Sequence, residues 1–144
     1  MAAARLHLQK LSVGTETVAD LAEWQAGARA QGPDGLPRHI TRMWPKRAAE
    51  LMSGGSIYWV IKGQILCRQP IARLDEVQGG DGIRRCAIVL EPGLVRVVPT
   101  LRRPFQGWRY LAPGDAPRDL PEGRRGEAAL PPEMSAALAE IGVL

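Results

Sequence analysis

The run Ser56–Lys62, with the sequence SIYWVIK, constrains the fold more than any other part of the chain. Alternate side chains of a strand point to opposite faces of a sheet. In this run both sets of alternate residues are mainly apolar. A strand that is apolar on both faces is typical of the centre of a sheet, where both faces are covered. We therefore expect a central strand around which the rest of the sheet is built.

The flanks of this strand predict a helix before it and a hairpin after it. A helix over Lys46–Met52 is expected to end at Gly54-Gly55, because glycine accepts the left-handed conformation of a helix cap. Lys62-Gly63 supplies a turn, after which residues 64–74 return as an antiparallel strand. Pro70 cannot donate to the strand ladder, so this strand must bend or bulge there. A bent strand after a hairpin fits the corner of a small closed or half-closed barrel.

The first part of the chain predicts a β-α-β opening. Arg5–Leu11 and Arg38–Trp44 both alternate in the manner of short strands. Between them, Glu16–Ala30 has the apolar spacing of an amphipathic helix, and Thr15 is its expected N-cap. Trp24 is expected to pack in the core.

The predicted domain covers residues 1–111 and belongs to the α+β class, as a small mixed β-barrel with peripheral helices. Ile83–Leu90 is a further strand, and Leu94–Val98 is a short edge strand before a proline. Leu101–Leu111 contains three of the seven aromatic residues and three arginines. We expect it to be an irregular segment that lies over the barrel and closes it.

Two C-terminal regions follow this domain. Residues 112–131 are rich in proline, glycine and charge, which predicts an extended linker. Residues 132–144 contain a short helix that would be marginal alone, so it is expected either to dock on the domain or to bind a partner, with docking favoured.

Basic residues are concentrated in the middle of the chain. Residues 38–109 contain thirteen Lys and Arg against five Asp and Glu, and both flanking regions are net negative. Such a region attracts phosphate or other anions. However, arginine outnumbers lysine sixteen to three beside abundant Ala, Gly and Pro. This bias is typical of a G+C-rich genome, so an anion-binding surface and an ordinary solvated surface both stay open.

Sequence motifs for catalysis or metal binding are absent. The chain contains no P-loop, no GxGxxG after a strand, no GxSxG and no HExxH. Cys67 and Cys86 lack a metal-ligand spacing, and His7 and His39 are isolated. We therefore expect no metal and no cofactor, and the sequence leaves open whether the protein is an enzyme.

The sequence also predicts where the protein resides. No apolar run approaches the roughly 18 residues of a membrane span. The N-terminus, MAAARLHLQK, has no apolar signal-peptide core. We expect a cytoplasmic protein that does not bind membranes, and the oligomeric state stays open.

The candidate binding residues are basic residues interleaved with aromatic ones. Cations hold the phosphates of nucleic acids, and flat side chains stack on single-stranded or flipped bases. The side-chain amide of Gln106 can offer the edge of a base both a hydrogen-bond donor and an acceptor. The expected site residues are Arg42, Trp44, Lys46, Arg47, Tyr58, Lys62, Gln106, Trp108 and Arg109. The tryptophans could pack in the core instead of stacking on a base. Packing in the core is favoured for Trp59, and both roles stay open for Trp44 and Trp108.

Several strings resemble a bacterial family known as "domain of unknown function 1489". They are RHITRMWPKRAAEL, GGSIYWVIKGQI, RQPI and RPFQGWRYL. This resemblance implies no activity. More loosely, the order of helix, GGS, strand, turn and strand is similar to PUA-like barrels, which include ASCH and EVE domains. That resemblance implies a cleft beside the helix that takes RNA or a modified nucleobase.

These observations give one leading expectation for function and two alternatives. The leading expectation is a domain that binds RNA or a modified nucleobase in a basic, aromatic-lined cleft. The first alternative is a protein-interaction module that uses the C-terminal helix. The second is a small enzyme acting on a nucleoside-like or amide substrate, which would require a buried lysine or carboxylate to meet Ser56 or Tyr58 in a pocket.

Overall fold

The computed structural model describes residues 6–121, and a seven-stranded mixed sheet forms the framework of this part of the chain. The elements in chain order are β1 (His7–Leu11), α1 (Val18–Ala26), β2 (Arg38–Thr41), α2 (Ala48–Leu51), β3 (Ser56–Ile61), β4 (Gln64–Gln78), β5 (Arg84–Leu90), β6 (Val95–Leu101) and β7 (Trp108–Leu111). The α+β class and the N-terminal strand, helix and strand are confirmed.

The strand β3 is central, as its sequence predicts. It pairs in parallel with β1 and antiparallel with β4, and all six of its residues are buried. The strand order is β2-β5-β4-β3-β1-β7, and β6 pairs with β4. The sheet is mixed, because only β1 and β3 pair in parallel among the described strands. The end strands β2 and β7 do not pair with each other, so closure into a barrel is not shown.

The strand β4 is longer than expected and serves two parts of the sheet. Its first half pairs with β3 and β6, and its second half pairs with β5 as far as Gln78. The register shifts between Ile71 and Arg73, directly after Pro70, where the sequence predicted a bend or bulge. The predicted end at residue 74 is wrong because β5, the next strand along the chain, forms a hairpin with β4 and supplies hydrogen-bond partners beyond it.

The turns around β3 also follow the sequence. Lys62 and Gly63 both have positive φ, 50° and 80°, as a two-residue hairpin turn with the twist of its strands requires. Gly54 has a φ of 99° at the end of α2. A side chain at Gly55 would overlap the carbonyl oxygens of Leu6 and Leu51, so glycine is needed there for close approach.

The first helix differs from its prediction in three respects. Its N-cap is Thr17, whose hydroxyl accepts from the backbone N–H of Asp20 at 3.0 Å. The hydroxyl of Thr15 instead bonds to that of Ser12. The helix ends at Ala26, before a separate 3-10 turn. Trp24 lies at the edge of the apolar stripe and is 53% exposed, so the expectation that it packs in the core is wrong.

Two apolar clusters cover the two faces of the sheet. We call the face that packs against both helices the inner face; its core includes Leu8, Leu21, Leu51, Ile57, Trp59, Ile88 and Trp108. We call the opposite face the outer face; its smaller cluster contains Tyr58, Val60, Ile65, Val97 and Leu111. No helix of the described residues is long and apolar enough to cross a membrane.

The described part of the expected linker packs on the outer face. Residues 113–115 form a 3-10 turn. Beyond it, the backbone N–H of Val98 donates to the oxygen of Arg118 at 2.8 Å, and that of Leu120 donates to Arg96 at 3.0 Å. The segment thus follows β6, which itself extends beyond its predicted end at Val98. Residues 122–131 and the predicted C-terminal helix lie outside the described residues.

Candidate functional site

The two segments richest in basic and aromatic residues meet in space. The indole Nε1 of Trp108 donates to the carbonyl oxygen of Met43 at 2.9 Å. The backbone N–H of Arg47 donates to the hydroxyl of Tyr110 at 3.1 Å. Residues 42–47, which sequence periodicity had assigned to the ends of a strand and a helix, form the connection between β2 and α2. This connection is held against the inner face of β7.

The surface formed here carries four cations, and we call it the basic surface. Its members are Arg42, Lys46, Arg47 and Arg84, and Gln106 adjoins them in the chain segment where Gly107 lies beside the Met43 side chain. All five residues are exposed. Arg47 pairs with Glu50, and Arg84 pairs with Glu76 at 2.9 Å. For Arg42 and Lys46, no carboxylate of the described residues lies within ion-pair distance. The surface therefore carries uncompensated positive charge.

Trp44 lies beneath this surface. Its ring packs against the core of the inner face, and the guanidinium of Arg84 lies 5.0 Å from the ring centroid. Its Nε1 is buried and has no hydrogen-bond acceptor among the described residues. A buried donor without an acceptor is rare in folded proteins and is worth explaining where it occurs. Here it lies directly under an arginine that is largely solvent-exposed.

Two of the aromatic residues expected to stack on a base are closed to solvent. Trp108 is 4% exposed because it lies on the inner face of β7. Tyr58 is also 4% exposed and lies on the outer face, with its ring against that of His7 at 5.1 Å. Neither ring offers a face to a base in this structure. Their expected role in stacking is therefore corrected to one in packing.

Two expected cations lie away from the basic surface. Lys62 is in the turn after β3, at the end remote from α2, with its ammonium 3.8 Å from a carboxylate oxygen of Glu16. Arg109 alternates with Trp108 and Tyr110 on β7, so it points to the outer face, where it lies over the Phe105 ring at 6.0 Å. The structure thus brings together five of the expected residues: Arg42, Trp44, Lys46, Arg47 and Gln106.

A cavity of about 250 Å³ on the outer face contains the residues that the enzyme alternative requires. Arg68 donates to the hydroxyl of Ser56 at 3.0 Å and to both carboxylate oxygens of Asp119, at 2.7 and 2.8 Å. The Nδ1 atom of His7 accepts the backbone N–H of Ser56 at 3.0 Å. That lone pair is therefore engaged and cannot remove the proton of the Ser56 hydroxyl. The arrangement is a structural network rather than an activated nucleophile.

Sequence reasoning missed Arg84 and Tyr110 as members of this region. Tyr110 lies in a segment that the sequence had already marked as rich in arginine and aromatic residues. Arg84 carried no such signal. It reaches Trp44 because β2 and β5 pair with Thr41 opposite Cys86, a register that only the folded sheet defines.

Among the described residues, no group of three or more His, Cys, Asp or Glu side chains is placed to hold a metal ion.

Comparisons with other proteins place the chain in a family. The searches of curated proteins and of solved structures returned no match. One family model matches residues 8–144. The chain belongs to the family described as "Protein of unknown function (DUF1489)".

Proposed function

We propose that this protein binds single-stranded nucleic acid, in particular RNA, through the basic surface. The observation that carries the proposal is the meeting of residues 42–47 with β7, through the bonds from Trp108 to Met43 and from Arg47 to Tyr110. These contacts fix the backbone of the short connection that carries the uncompensated cations Arg42 and Lys46. Closely spaced cations of this kind attract the phosphates of a nucleic acid.

The two paired arginines of the surface are also available to phosphate. The side chains of Arg47 and Glu50 are 52% and 44% exposed, and those of Arg84 and Glu76 are 63% and 57% exposed. Exposed ion pairs of this kind contribute only about 0–1 kcal/mol. A phosphate that contacts several cations at once can therefore displace these carboxylates.

Trp44 is the proposed stacking surface. Arg84 covers its ring, and an exposed cation–π contact is worth about 0.5–1 kcal/mol. Stacking of a base on an aromatic ring is worth about 1–3 kcal/mol. A base can thus replace the guanidinium on the indole, and the released Arg84 remains beside the phosphate. Gln106 lies at the edge of the surface, where its amide can contact the edge of a base.

The open side of the sheet fits the same proposal. The side-chain bonds of Trp108 and Tyr110 link β7 to the connection after β2, which are the two ends of the strand order. This link supports a half-closed, PUA-like barrel with RNA or a modified base at its seam. A cytoplasmic location is part of this proposal.

The test is fluorescence polarisation with a labelled single-stranded RNA at several salt concentrations. Four cations can neutralise up to about four phosphates, so the slope of log K against log salt should be no steeper than about −3 for a single strand. Changing Arg42 and Lys46 together to Glu should weaken binding by about tenfold or more. The matched control is Arg29→Glu at an exposed position after α1. It changes the net charge by the same amount as each of the two substitutions on the basic surface.

Two outcomes would overturn the proposal. One is the absence of any salt-sensitive binding to RNA or single-stranded DNA. The other is an equal loss of affinity per charge in Arg29→Glu, because the net charge of the chain and not this surface would then explain the binding.

A further inference from the structure

A second cavity lies away from the basic surface, between α1, β2 and the inner face of β1 and β3. Its volume is about 140 Å³, close to the roughly 150 Å³ of a protein cavity that accepts benzene. Lys10, Arg38 and His39 line it, together with the indoles of Trp24 and Trp59. None of the described residues that line it is acidic. The cavity therefore joins basic groups to aromatic walls without a counter-charge.

Lys10 is the central charge of this cavity. The backbone of β1 fixes its position opposite Trp59 in the sheet. Its ammonium donates to the carbonyl oxygen of Leu11 at 3.2 Å, which uses one of its three N–H groups. No carboxylate of the described chain lies within ion-pair distance of it. Lys10 is half-buried, so water solvates its ammonium incompletely, and this burial lowers the pKa of Lys10.

His39 supplies a second polar group that is neutral at physiological pH. Burial, and to a smaller extent the charge of Lys10, lowers the pKa of His39 to about 4. A neutral imidazole has one nitrogen that donates a hydrogen bond. Its ring meets the Trp59 ring edge-on at 6.5 Å, so it is held against the aromatic wall. One cation and one neutral donor thus face the same small space.

We propose that this cavity binds a small organic anion, with its oxyanion held by Lys10 and His39 and its planar apolar part against Trp59. The argument is that a partly buried ammonium without a carboxylate is costly. An oxyanion supplies the missing charge and accepts the remaining N–H groups. The volume limits the ligand to a single ring. The site is separate from the basic surface and is independent of nucleic-acid binding.

Acidic residues outside the cavity provide a second way to change its affinity for an anion. Asp20 and Glu23 line an open groove that shares Val13, Thr15 and Trp24 with the cavity mouth. Their negative charge opposes the approach of an anion. Removing it with Asp20→Asn and Glu23→Gln should therefore tighten anion binding by a few fold.

The test uses isothermal titration calorimetry with benzoate, inorganic phosphate and the neutral analogue benzamide. Benzoate should bind about tenfold or more tightly than benzamide, because only the anion meets the ammonium. Lys10→Met should remove that preference. The matched control, Arg103→Met, removes an exposed cation on the loop before β7, outside the lining of the cavity, and should leave binding unchanged. Binding of benzoate without binding of phosphate would identify a carboxylate with an apolar body. Binding of phosphate alone would overturn the inference, because inorganic phosphate has no planar apolar part to pack against Trp59.

Two further results would overturn the inference: no binding of either anion, or equal binding of benzoate and benzamide. A measurement on the unaltered chain keeps the test independent of the fold of Lys10→Met. The ring protons of His39 are titrated by NMR with and without benzoate. A bound anion should raise the pKa of His39, and an unchanged pKa at a saturating benzoate concentration would overturn the inference.

Discussion

Two groups of basic residues in the described part of the chain differ in their partners. In the first group, which we call the matched arginines, each guanidinium pairs with an Asp carboxylate; its members are Arg68 with Asp119, Arg73 with Asp34 and Asp75, and Arg85 with Asp81. The second group contains Arg42 and Lys46 on the basic surface and Lys10 in the inner cavity. For these three, the described residues offer no carboxylate at ion-pair distance.

The difference shows that local arginine density does not measure the charge available to a ligand. Hydrogen bonds from Arg85 and Arg73 hold the pKa of Asp81 and that of Asp34 below their usual range. These carboxylates are therefore charged throughout the physiological range and neutralise their arginines. The net charge of residues 38–109 counts both groups equally, whereas the charge available to a phosphate comes from cations without a carboxylate partner among the described residues, such as Arg42 and Lys46.

The largest expected effect is the loss of stability in acid that comes from His39, the neighbour of Lys10 in the inner cavity. The pKa of His39 is lowered from 6.5 to about 4, so below pH 6.5 the unfolded chain binds more protons at this residue than the folded chain. The contribution of His39 to the free energy of unfolding is thus complete above pH 6.5 and is lost as the pH falls towards 4. Near pH 4 the loss amounts to about 3 kcal/mol. Urea unfolding at a series of pH values measures it.

His39→Gln isolates this contribution from those of the carboxylates. The variant should lose about 3 kcal/mol less than the wild type between pH 7 and pH 4, because glutamine does not titrate there. Parallel pH profiles for the two proteins would show that His39 titrates normally in the fold. The desolvation on which the anion cavity partly rests would then be absent.

Loss of a matched arginine should affect stability but not binding. Arg68 is 25% exposed and bonds to Asp119 and Ser56, and hydrogen bonds between charged groups contribute about 1.5–3 kcal/mol. Arg68→Met should therefore lower the free energy of unfolding by about 2 kcal/mol. Arg73→Met, at a site 47% exposed, should cost less than about 1 kcal/mol. Chemical denaturation gives both values.

The RNA affinity of the same two variants tests whether the matched arginines differ from the cations of the basic surface. Both remove one positive charge from the basic region, yet neither touches the basic surface, so RNA affinity should stay within about twofold. An equal loss of affinity in Arg68→Met, Arg73→Met and an Arg42→Met variant would show that all arginines act alike. The distinction between the groups would then fail.

Much of the strand pattern was accessible from the sequence because it depends on neighbours in the chain. The alternation in residues 56–61, the glycines before them and Lys62-Gly63 after them define β3 and its hairpin locally. The end of β4 and the partner of Arg68 were not accessible. The end of β4 depends on its hairpin with β5, where Gln78 pairs with Arg84, and Asp119 is 51 residues from Arg68, so neither follows from the residues of β4 alone.

The candidate site was predictable only in part, for the same reason. Alternation shows that Trp108 and Tyr110 share a face of β7, but it does not show that this face is the inner one. That follows from the pairing of β7 with β1, which places Trp108 opposite Lys10. For Trp24 the sequence predicted burial, and the structure shows an exposed side chain. Helical spacing does not define how far the core extends around a helix.

The smallest effect concerns the contact that holds residues 42–47 in place. Tyr110→Phe keeps the ring but removes the hydroxyl that accepts the backbone N–H of Arg47 at 3.1 Å. Because this hydrogen bond is solvent-exposed, its loss should cost about 1 kcal/mol or less. RNA affinity should fall by about two- to fivefold, because the cations of the connection lose part of their fixed arrangement. Denaturation and fluorescence polarisation measure the two effects on one preparation.

Tyr58→Phe is the matched control, because Tyr58 lies on the outer face and should leave RNA affinity unchanged. If Tyr110→Phe lowers stability but not affinity, the position of residues 42–47 is irrelevant to binding. The uncompensated cations would then attract RNA only through their charge, as they would on any exposed loop. If affinity falls while Tyr58→Phe has no effect, the link between β7 and the connection after β2 is part of the binding surface itself.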